Sequence, residues 1–528
     1  MSTSAFIICV LVLLWVLRKY TQFRDRTLSR APYPPGPVPK PLIGNALDFP
    51  ISFPALKYAE WGNIYKSQIL HIEAFGQHIV VLNNREDAEE LLDRRAKLYS
   101  DRPEIPVMKL MGWSYNIAIL RYGDEWRRCR KICQQNFNQK ASQAYQPLQR
   151  KEVLRFLQAL HSSPKEFDAH SKRLSISLTM LMMYGYEVQS ISDPVVTVAD
   201  EAIRLGGQLV IPGGTLINIF PMLQHIPAWF PGASSQKLAK IVRELSDEMM
   251  SIPTKFVKKS LEEGTAVPSF VTDFYVKKQT HGATLEEEEM VKNIAFSVYG
   301  GASDTTISAT GTFLWAMAVN PNVMKKAQSE IDTVIGLNRL PTFEDRDSLP
   351  YIEAIYREVL RSLPPLPLGG PHTTIQDDHY KGYFIPKGGD NCIRQYLASI
   401  VTVAALIYLK TSSRAMTHDT NVYSDPSAFK PERFFDEDGK LNADDRVLAY
   451  GFGRRICVGK YIASSTLWLM IASVITCFDI SKAKDEHGND IEIDDGFEDC
   501  GVVNQMTKFE CNFRVRSLER LKLFVDAN

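Results

Sequence analysis

Residues 284–320 carry the pattern that most constrains this chain. Thr284 followed three residues later by Glu287 is a capping box, glutamates fill the first turn, and Pro321 ends the run. A helix of ~35 residues at ~1.5 Å per residue is roughly 50 Å long, so it has to cross the whole body of a globular domain. A chain built round such a rod is mostly α. Strand-like stretches are short and cluster near 63–83 and 375–386, so the expected fold class is mostly α with small β-sheets. The centre of the rod reads Tyr299-Gly300-Gly301-Ala302-Ser303-Asp304-Thr305-Thr306. An interior glycine costs ~1 kcal/mol against alanine, and threonine can bond back to the preceding turn. Two readings stay open: a close helix crossing that needs small residues, or a flat ligand packed on the glycines with Asp304 and Thr305 placed to handle protons.

Three further constellations carry chemistry. Tyr450-Gly451-Phe452-Gly453-Arg454-Arg455-Ile456-Cys457-Val458-Gly459 wraps glycine-rich backbone round a cysteine just before an apolar helix at 460–476. A thiolate at a helix N-terminus is favoured by the dipole and by free N–H groups, and Arg455 adds positive charge nearby. A dinucleotide loop is not supported, because Ile456 stands where the third glycine of GxGxxG belongs. Glu358-x-x-Arg361 and Trp126-x-x-x-Arg130 each put two side chains on one helix face. The chain's eight cysteines are scattered without a CxxC pair, which argues against a cysteine-rich zinc site. Sixty-one basic residues balance sixty-one acidic ones, which argues against nucleic acid as a partner and against membrane attachment by charge alone.

The N-terminus suggests another attachment. Ala5–Leu17 is apolar throughout, and Arg18, Lys19, Arg24, Arg26 and Arg30 follow. The run is short against the ~20 residues of a full span, but basic residues on its C-terminal side favour keeping that side cytoplasmic. Residues 1–20 read as an uncleaved single-pass anchor rather than a signal peptide. Residues 21–50 read as a basic and proline-rich hinge, with APYPPGPVPKP as a stiff extended spacer.

Together these motifs resemble the cytochrome P450 family. Cys457 corresponds to its haem-binding loop, Glu358 and Arg361 to its ExxR helix, and Pro431-Glu432-Arg433-Phe434 to its PERF segment. Gly301–Thr305 corresponds to its oxygen-activating helix, and the Trp126/Arg130 helix to one that holds the haem propionates. The wording LPLGGPHTT and AMTHD is most similar to fungal microsomal members. The resemblance implies the P450 fold behind one N-terminal membrane anchor, with residues 51–528 as the catalytic domain. It implies haem b as cofactor with Cys457 as axial thiolate. Trp126, Arg130, His372 and Arg455 would hold the propionates, and Asp304 with Thr305 would relay protons. Glu358, Arg361 and Arg433 would be structural. Candidate substrate contacts are Ile105–Tyr115, Ile211–Phe220, Phe296–Ala302 and Leu366–Gly370, and the weakly charged 220–231 stretch would touch the membrane surface. A basic face of Arg127, Arg128 and Lys131 would dock a flavin reductase.

The implied activity is insertion of one oxygen atom from O2 into a hydrophobic secondary metabolite or xenobiotic, with electrons from NADPH through NADPH-cytochrome P450 reductase, aided by cytochrome b5. The implied location is the endoplasmic reticulum membrane with the catalytic domain cytoplasmic. A haem-thiolate isomerase or dehydratase needing no reductase is the competing enzyme class; an intact Asp304-Thr305 pair argues against it.

Two departures stand out. Tyr450 replaces the phenylalanine that usually opens the cysteine loop. Between Gly388 and Arg414 the chain carries residues 389–413, about 18 more than the family pattern. This stretch reads as translated intron sequence, giving an inactive product if retained. The rival reading is a genuine insertion in which 400–409 supplies a strand.

Overall fold

A computed structural model describes residues 31–41, 43–50, 52–211, 213–388, 407–494, 496–499 and 502–526. The expected anchor at 1–20 lies outside the described residues. The longer helices, in chain order, are α1 (Pro54–Ile64), α2 (Asp124–Phe137), α3 (Gln146–Ser162), α4 (Phe167–Tyr184), α5 (Pro194–Val210) and α6 (Ser234–Glu262). They continue with α7 (Phe270–His281), α8 (Leu285–Val319), α9 (Pro321–Val334), α10 (Pro350–Ser362), α11 (Lys460–Cys477) and α12 (Leu518–Val525). The strands are β1 (Ile69–Ala74), β2 (Gln77–Leu82), β3 (Asp378–Tyr380), β4 (Tyr383–Ile385), β5 (Ile407–Thr411), β6 (Phe478–Lys482), β7 (Phe497–Asp499), β8 (Asn504–Met506) and β9 (Cys511–Val515).

The rod read from the sequence is α8, 35 residues long and unbroken through its glycines. Its start is fixed locally: the Glu287 N–H donates to Thr284 Oγ1 at 3.2 Å, and the Thr284 N–H donates to Glu287 Oε2 at 2.8 Å. Its two ends belong to different hydrophobic clusters. Met290 to Tyr299 pack with α2, α4 and α7, whereas Ala309 to Ala318 pack with α3, α9, α10 and α11. The turn between them belongs to neither. Helix α11 is apolar and long enough to cross a membrane, yet it is core: every residue from Thr466 to Cys477 is buried.

One mixed sheet positions the N-terminal part. β1 pairs antiparallel with β2, Ile69 opposite Leu82, and β2 pairs parallel with β5, Val80 opposite Leu409. The strand anticipated over 400–409 therefore lies at 407–411. The earlier residues of that range, Val401 and Val403 among them, lie outside the described residues. β3–β4, β6–β9 and β7–β8 form separate hairpins or ladders.

The proline-rich segment is not a free spacer. Prolines cannot donate, but their carbonyls accept: Phe384 N–H donates to Pro32 at 2.8 Å and His71 N–H to Pro35 at 2.9 Å. Gly44 bridges Ala74, and Tyr33 stacks on His71 at 4.5 Å between ring centroids. A Cβ on Gly36 would stand 2.0 Å from the His71 carbonyl oxygen, so only glycine lets the segment lie this close to β1. The hinge thus runs along the sheet towards the β1–β2 turn.

Candidate active site

The cysteine loop is shaped by backbone contacts. Cys457 N–H donates to the Tyr450 carbonyl at 2.9 Å, and Arg130 Nη1 donates to the Ile456 carbonyl at 2.7 Å. Gly453, at φ 58°, brings its N–H to Asp93 Oδ1 at 2.5 Å; a Cβ there would sit 2.0 Å from the Leu92 carbonyl oxygen. Cys457 retains accessible surface, although the protein surrounds it closely enough that burial raises its thiol pKa. The Gly459 N–H, Arg130 and Lys460 oppose that shift. The helix-terminus effect expected from the sequence is present, but desolvation outweighs it.

Beside the loop lies a cluster of cations. Arg455 donates to the carbonyls of Ser100 at 2.8 Å, Leu120 at 2.7 Å and Ile117 at 3.3 Å, and its guanidinium lies 4.3 Å over the Trp126 ring. Arg102 donates to the carbonyls of Ala118 at 2.8 Å and of Pro371. Burial pushes Arg102 down to about 10 and Arg455 to about 9, with their mutual repulsion adding to the second shift. Arg130 is lowered by burial too. None of the three makes an ion pair among the described residues. The one carboxylate at hand, Asp101, is taken by Arg121 at 2.7 Å and by the N–H groups of Arg102 and Tyr122. His372 is buried, with Nδ1 2.8 Å from the Tyr99 carbonyl, which assigns the proton to Nδ1. Burial, with Arg102 nearby, holds it neutral, its pKa well below the usual histidine value.

The middle turn of α8 completes the site. Gly300 and Gly301 are exposed, and Cβ atoms added to either would meet nothing within 4 Å. Helix α4 passes beside this turn, where Ser175 Oγ donates to the carbonyls of Ala302 at 3.0 Å and Ser303 at 3.1 Å, while the open faces of the two glycines meet no described atom. Thr305 Oγ1 donates to the Gly301 carbonyl at 2.9 Å. The Asp304 carboxyl has its pKa raised by burial and by Asp200, against the pull of Lys172. Lys172 and Asp200 pair with each other, on α4 and α5. Asp304 thus faces a charged group on neighbouring helices, a direction the sequence did not reveal.

Trp126, Arg130, His372, Arg455 and Cys457 are all brought to one region, with Asp304 and Thr305 on the glycine turn. Sequence reasoning missed Arg102. The structural network is as expected: Glu358, fully buried, takes Arg361 through both oxygens at 2.6 and 2.9 Å, Arg433 at 3.1 Å and the Lys430 N–H at 2.7 Å. The basic face on α2 is partly neutralised, since Arg127 pairs with Asp124 at 2.7 Å and Arg128 with Glu286 at 2.8 Å. Of the substrate-contact segments, Tyr115 packs edge-on against Phe296 at 5.5 Å.

A flat dianionic group with a metal at its centre suits these residues. Arginines that are buried or half-buried and make no ion pair among the described residues would neutralise two carboxylates, a glycine helix turn would admit a plane, and a cysteine stands ready as a soft ligand. The chain matches the profile of cytochrome P450 over residues 34–398 and 406–513. It is 37% identical over 490 residues to cytochrome P450 monooxygenase ple1 of Rhodocybe pseudopiperita, covering 92% of this chain and 90% of that one. Cytochrome P450 monooxygenase 208 of Postia placenta is 36% identical over 520 residues, covering 98% and 96%. Cytochrome P450 monooxygenase COX1 of Coprinopsis cinerea is 34% identical over 496 residues, covering 92% of each chain.

Proposed function

Since this chain belongs to the cytochrome P450 family and is a monooxygenase of it, we propose that Cys457 is the axial thiolate ligand of a haem b. Arg102, Arg130 and Arg455, with Nε2 of His372 and the Trp126 ring beside them, take its propionates. The carrying observation is the set of three arginines next to the cysteine loop, Arg102 buried and Arg130 and Arg455 half-buried, that make no ion pair among the described residues. When bound, haem supplies the iron chemistry that places one oxygen atom from O2 into an organic molecule, with electrons arriving from NADPH through a reductase.

The remaining work falls to this chain's own side chains. Asp304, its carboxyl pKa raised by burial and by Asp200, binds a proton more readily than a solvated aspartate, with the Lys172–Asp200 pair on α4 and α5 acting on it. Thr305 keeps its hydroxyl hydrogen on the Gly301 carbonyl, leaving its oxygen lone pairs to accept a proton on the glycine side. The pair serves as the route by which protons reach the reacting face. Apolar segments 105–115 and 211–220 close the space from above and select a hydrophobic substrate.

Residues 1–20 anchor the protein in the endoplasmic reticulum membrane, with 51–528 as the cytoplasmic catalytic domain. Support comes from the hinge running along β1 and from apolar side chains exposed beyond the sheet, Leu216 at 60% and Trp229 at 77%. A flavin reductase docks at the α2 face, where Lys131 is left once Arg127 and Arg128 are paired.

The stretch 389–413 carries about 18 residues of translated intron sequence. The family profile matches through residue 398, resumes at 406 and so leaves out 399–405 within this stretch. Gly388 N–H donates to the Thr374 carbonyl at 2.9 Å, and His372 bridges Leu409 antiparallel, a register that sets Ile407 opposite Thr374. Gly388 and Leu409 thus lie against nearby residues of one segment, Thr374 and His372.

The haem assignment is tested by the reduced, CO-treated protein. Cys457→Ala is expected to abolish the red-shifted thiolate band while Cys477→Ala, in the core of α11, keeps it; equal spectra for the two variants would sink the ligand assignment.

A further inference from the structure

The cysteine loop is held by a stretch some 360 residues earlier in the chain. Residues Glu89–Arg94 form a π-helical turn, with the Arg95 N–H donating to the Glu90 carbonyl five residues back at 2.9 Å. Such turns are rare and recur where a helix has to place a side chain for function. The side chain placed here is Asp93. Its Oδ1 accepts the Gly453 N–H at 2.5 Å, and its Oδ2 meets Arg446 Nη2 at 2.7 Å. The stretch continues to Ser100, whose carbonyl accepts Arg455 Nε at 2.8 Å. Gly453 and Arg455, two residues apart in the loop, are thus both held by the one segment 93–100.

Arg446 is itself fixed from three sides. Besides Asp93 it pairs with Glu89 at 3.0 Å, and its guanidinium lies 4.7 Å over the ring of Phe452. Phe452 is buried and directly precedes Gly453. Glu89 is also bound by Arg85 at 2.7 Å, and Arg85 by Asp444 at 3.1 Å. Charges of alternating sign therefore run from Asp444 to Asp93, and the last carboxylate gives its second oxygen to a backbone amide. Isolated ion pairs at a surface contribute little. A carboxylate that cannot turn aside and accepts a backbone N–H is different: its bond is charge-assisted, and it fixes main chain rather than another mobile side chain.

We propose that Asp93 is a positioning residue for Cys457: its carboxylate, clamped by Arg446, holds the Gly453 N–H and so fixes the cysteine loop where its sulfur can serve as ligand. The proposal rests on reading Cys457 as the haem thiolate. The Cys457 N–H closes back on the Tyr450 carbonyl, which makes the loop a small ring of backbone whose seat depends on few bonds from outside. Arg130, on the Ile456 carbonyl, supplies one on the far side of the ring, and Asp93 supplies the one at Gly453. Without the second, the loop turns about the first, and the sulfur leaves its place more readily.

The test uses the purified holoenzyme as wild type, Asp93→Ala, Asp93→Asn and Arg446→Met. Arg94→Ala is the control on the same turn, since that side chain is 75% exposed and pairs with Glu90. Hydrogen exchange of amides in 448–459 is read first, because it reports the loop whatever Cys457 binds. Asp93→Ala is expected to exchange roughly tenfold faster there and unchanged elsewhere, the scale of one hydrogen bond to a charged group. In mild urea the red-shifted band of the reduced, CO-treated protein should decay faster by a similar factor, before helical circular dichroism changes. Asp93→Asn, which keeps an oxygen for the Gly453 N–H, recovers most of both, and Arg94→Ala matches wild type. Arg446→Met gives a smaller change in the same direction and serves if Asp93→Ala does not fold. Loop exchange equal to wild type, band loss only in step with loss of helix, or Asp93→Asn no better than Asp93→Ala would overturn the proposal. Exchange as expected, in a wild type without any red-shifted band, would leave Asp93 as the clamp of the loop and remove the haem-thiolate reading.

Discussion

The hydroxyl of Tyr450 lies 3.0 Å from that of Tyr356, joining the start of the cysteine loop to helix α10 through a half-buried and a buried phenol. Arg346 stands 5.0 Å over the Tyr356 ring and donates to Ser464 at 3.0 Å, so the pair is embedded in a polar group between α10 and α11. Replacing Tyr450 by phenylalanine leaves the Tyr356 hydroxyl with Ser464 as its remaining side-chain partner. Tyr450→Phe is expected to cost about 1–2 kcal/mol in urea unfolding, and Tyr356→Phe a similar amount. The double variant should cost clearly less than the two together, because both partners are then apolar. Strict additivity would show that the hydroxyls do not depend on each other.

Asp304 and Thr305 separate in their effects. Thr305→Ala is expected to raise the hydrogen peroxide released per NADPH consumed, since the hydroxyl that receives the proton is gone. Asp304→Asn should slow NADPH consumption on the order of 100-fold, the usual scale of a lost proton donor. It should also flatten the pH profile, because the carboxyl whose pKa is raised no longer titrates. Unchanged peroxide release in Thr305→Ala would favour a haem-thiolate isomerase.

Lys410 is out of place. It lies in β5 opposite Val81, and burial alone pushes its ammonium from 10.5 down to about 8. Between those values the unfolded chain binds a proton that the folded chain does not, so stability rises as pH rises through that window. Lys410→Met should raise stability at pH 7 by about 1–3 kcal/mol and remove the rise, as read from thermal melts across pH 7–11. A pH-independent gain would assign the effect to packing rather than charge.

Deleting residues 389–406 is expected to leave a folded protein that incorporates haem at least as well as the full chain. Haem content per chain after purification measures this. A transcript continuous through these codons, together with an insoluble deletion variant, would establish the segment as native.

Much of this was legible because it is local. Thr284, Glu287 and Pro321 bound α8 by hydrogen bonds and sterics within a turn of each end, so its limits could be read off the chain. The glycines round Cys457 mark a tight loop for the same reason. Arg102 could not be found that way. Its role arises only when the strand-like turn at Ser100–Arg102 meets Pro371 and His372 far along the chain, and a lone arginine leaves no periodic trace. The direction faced by Asp304 depends on how α4 and α5 pack, and the position of β5 depends on which residues pair with β2. Both are tertiary choices with little local signature. The proline-rich segment misled in an instructive way: proline's missing donor suggested isolation, while its free carbonyls were what bound it to the sheet.

Helix α8 has each half committed to a different apolar cluster, with the glycine turn between them. Helix α4 does the same, with Phe167 and Leu174 in one cluster and Ile176 to Tyr184 in the other, so the coupling of the two clusters runs through both helices and through what packs across that turn. A group that contacts both sides there would tighten the coupling between the clusters. The sharpness of unfolding, and not its midpoint alone, therefore reports how well the centre of this protein is filled.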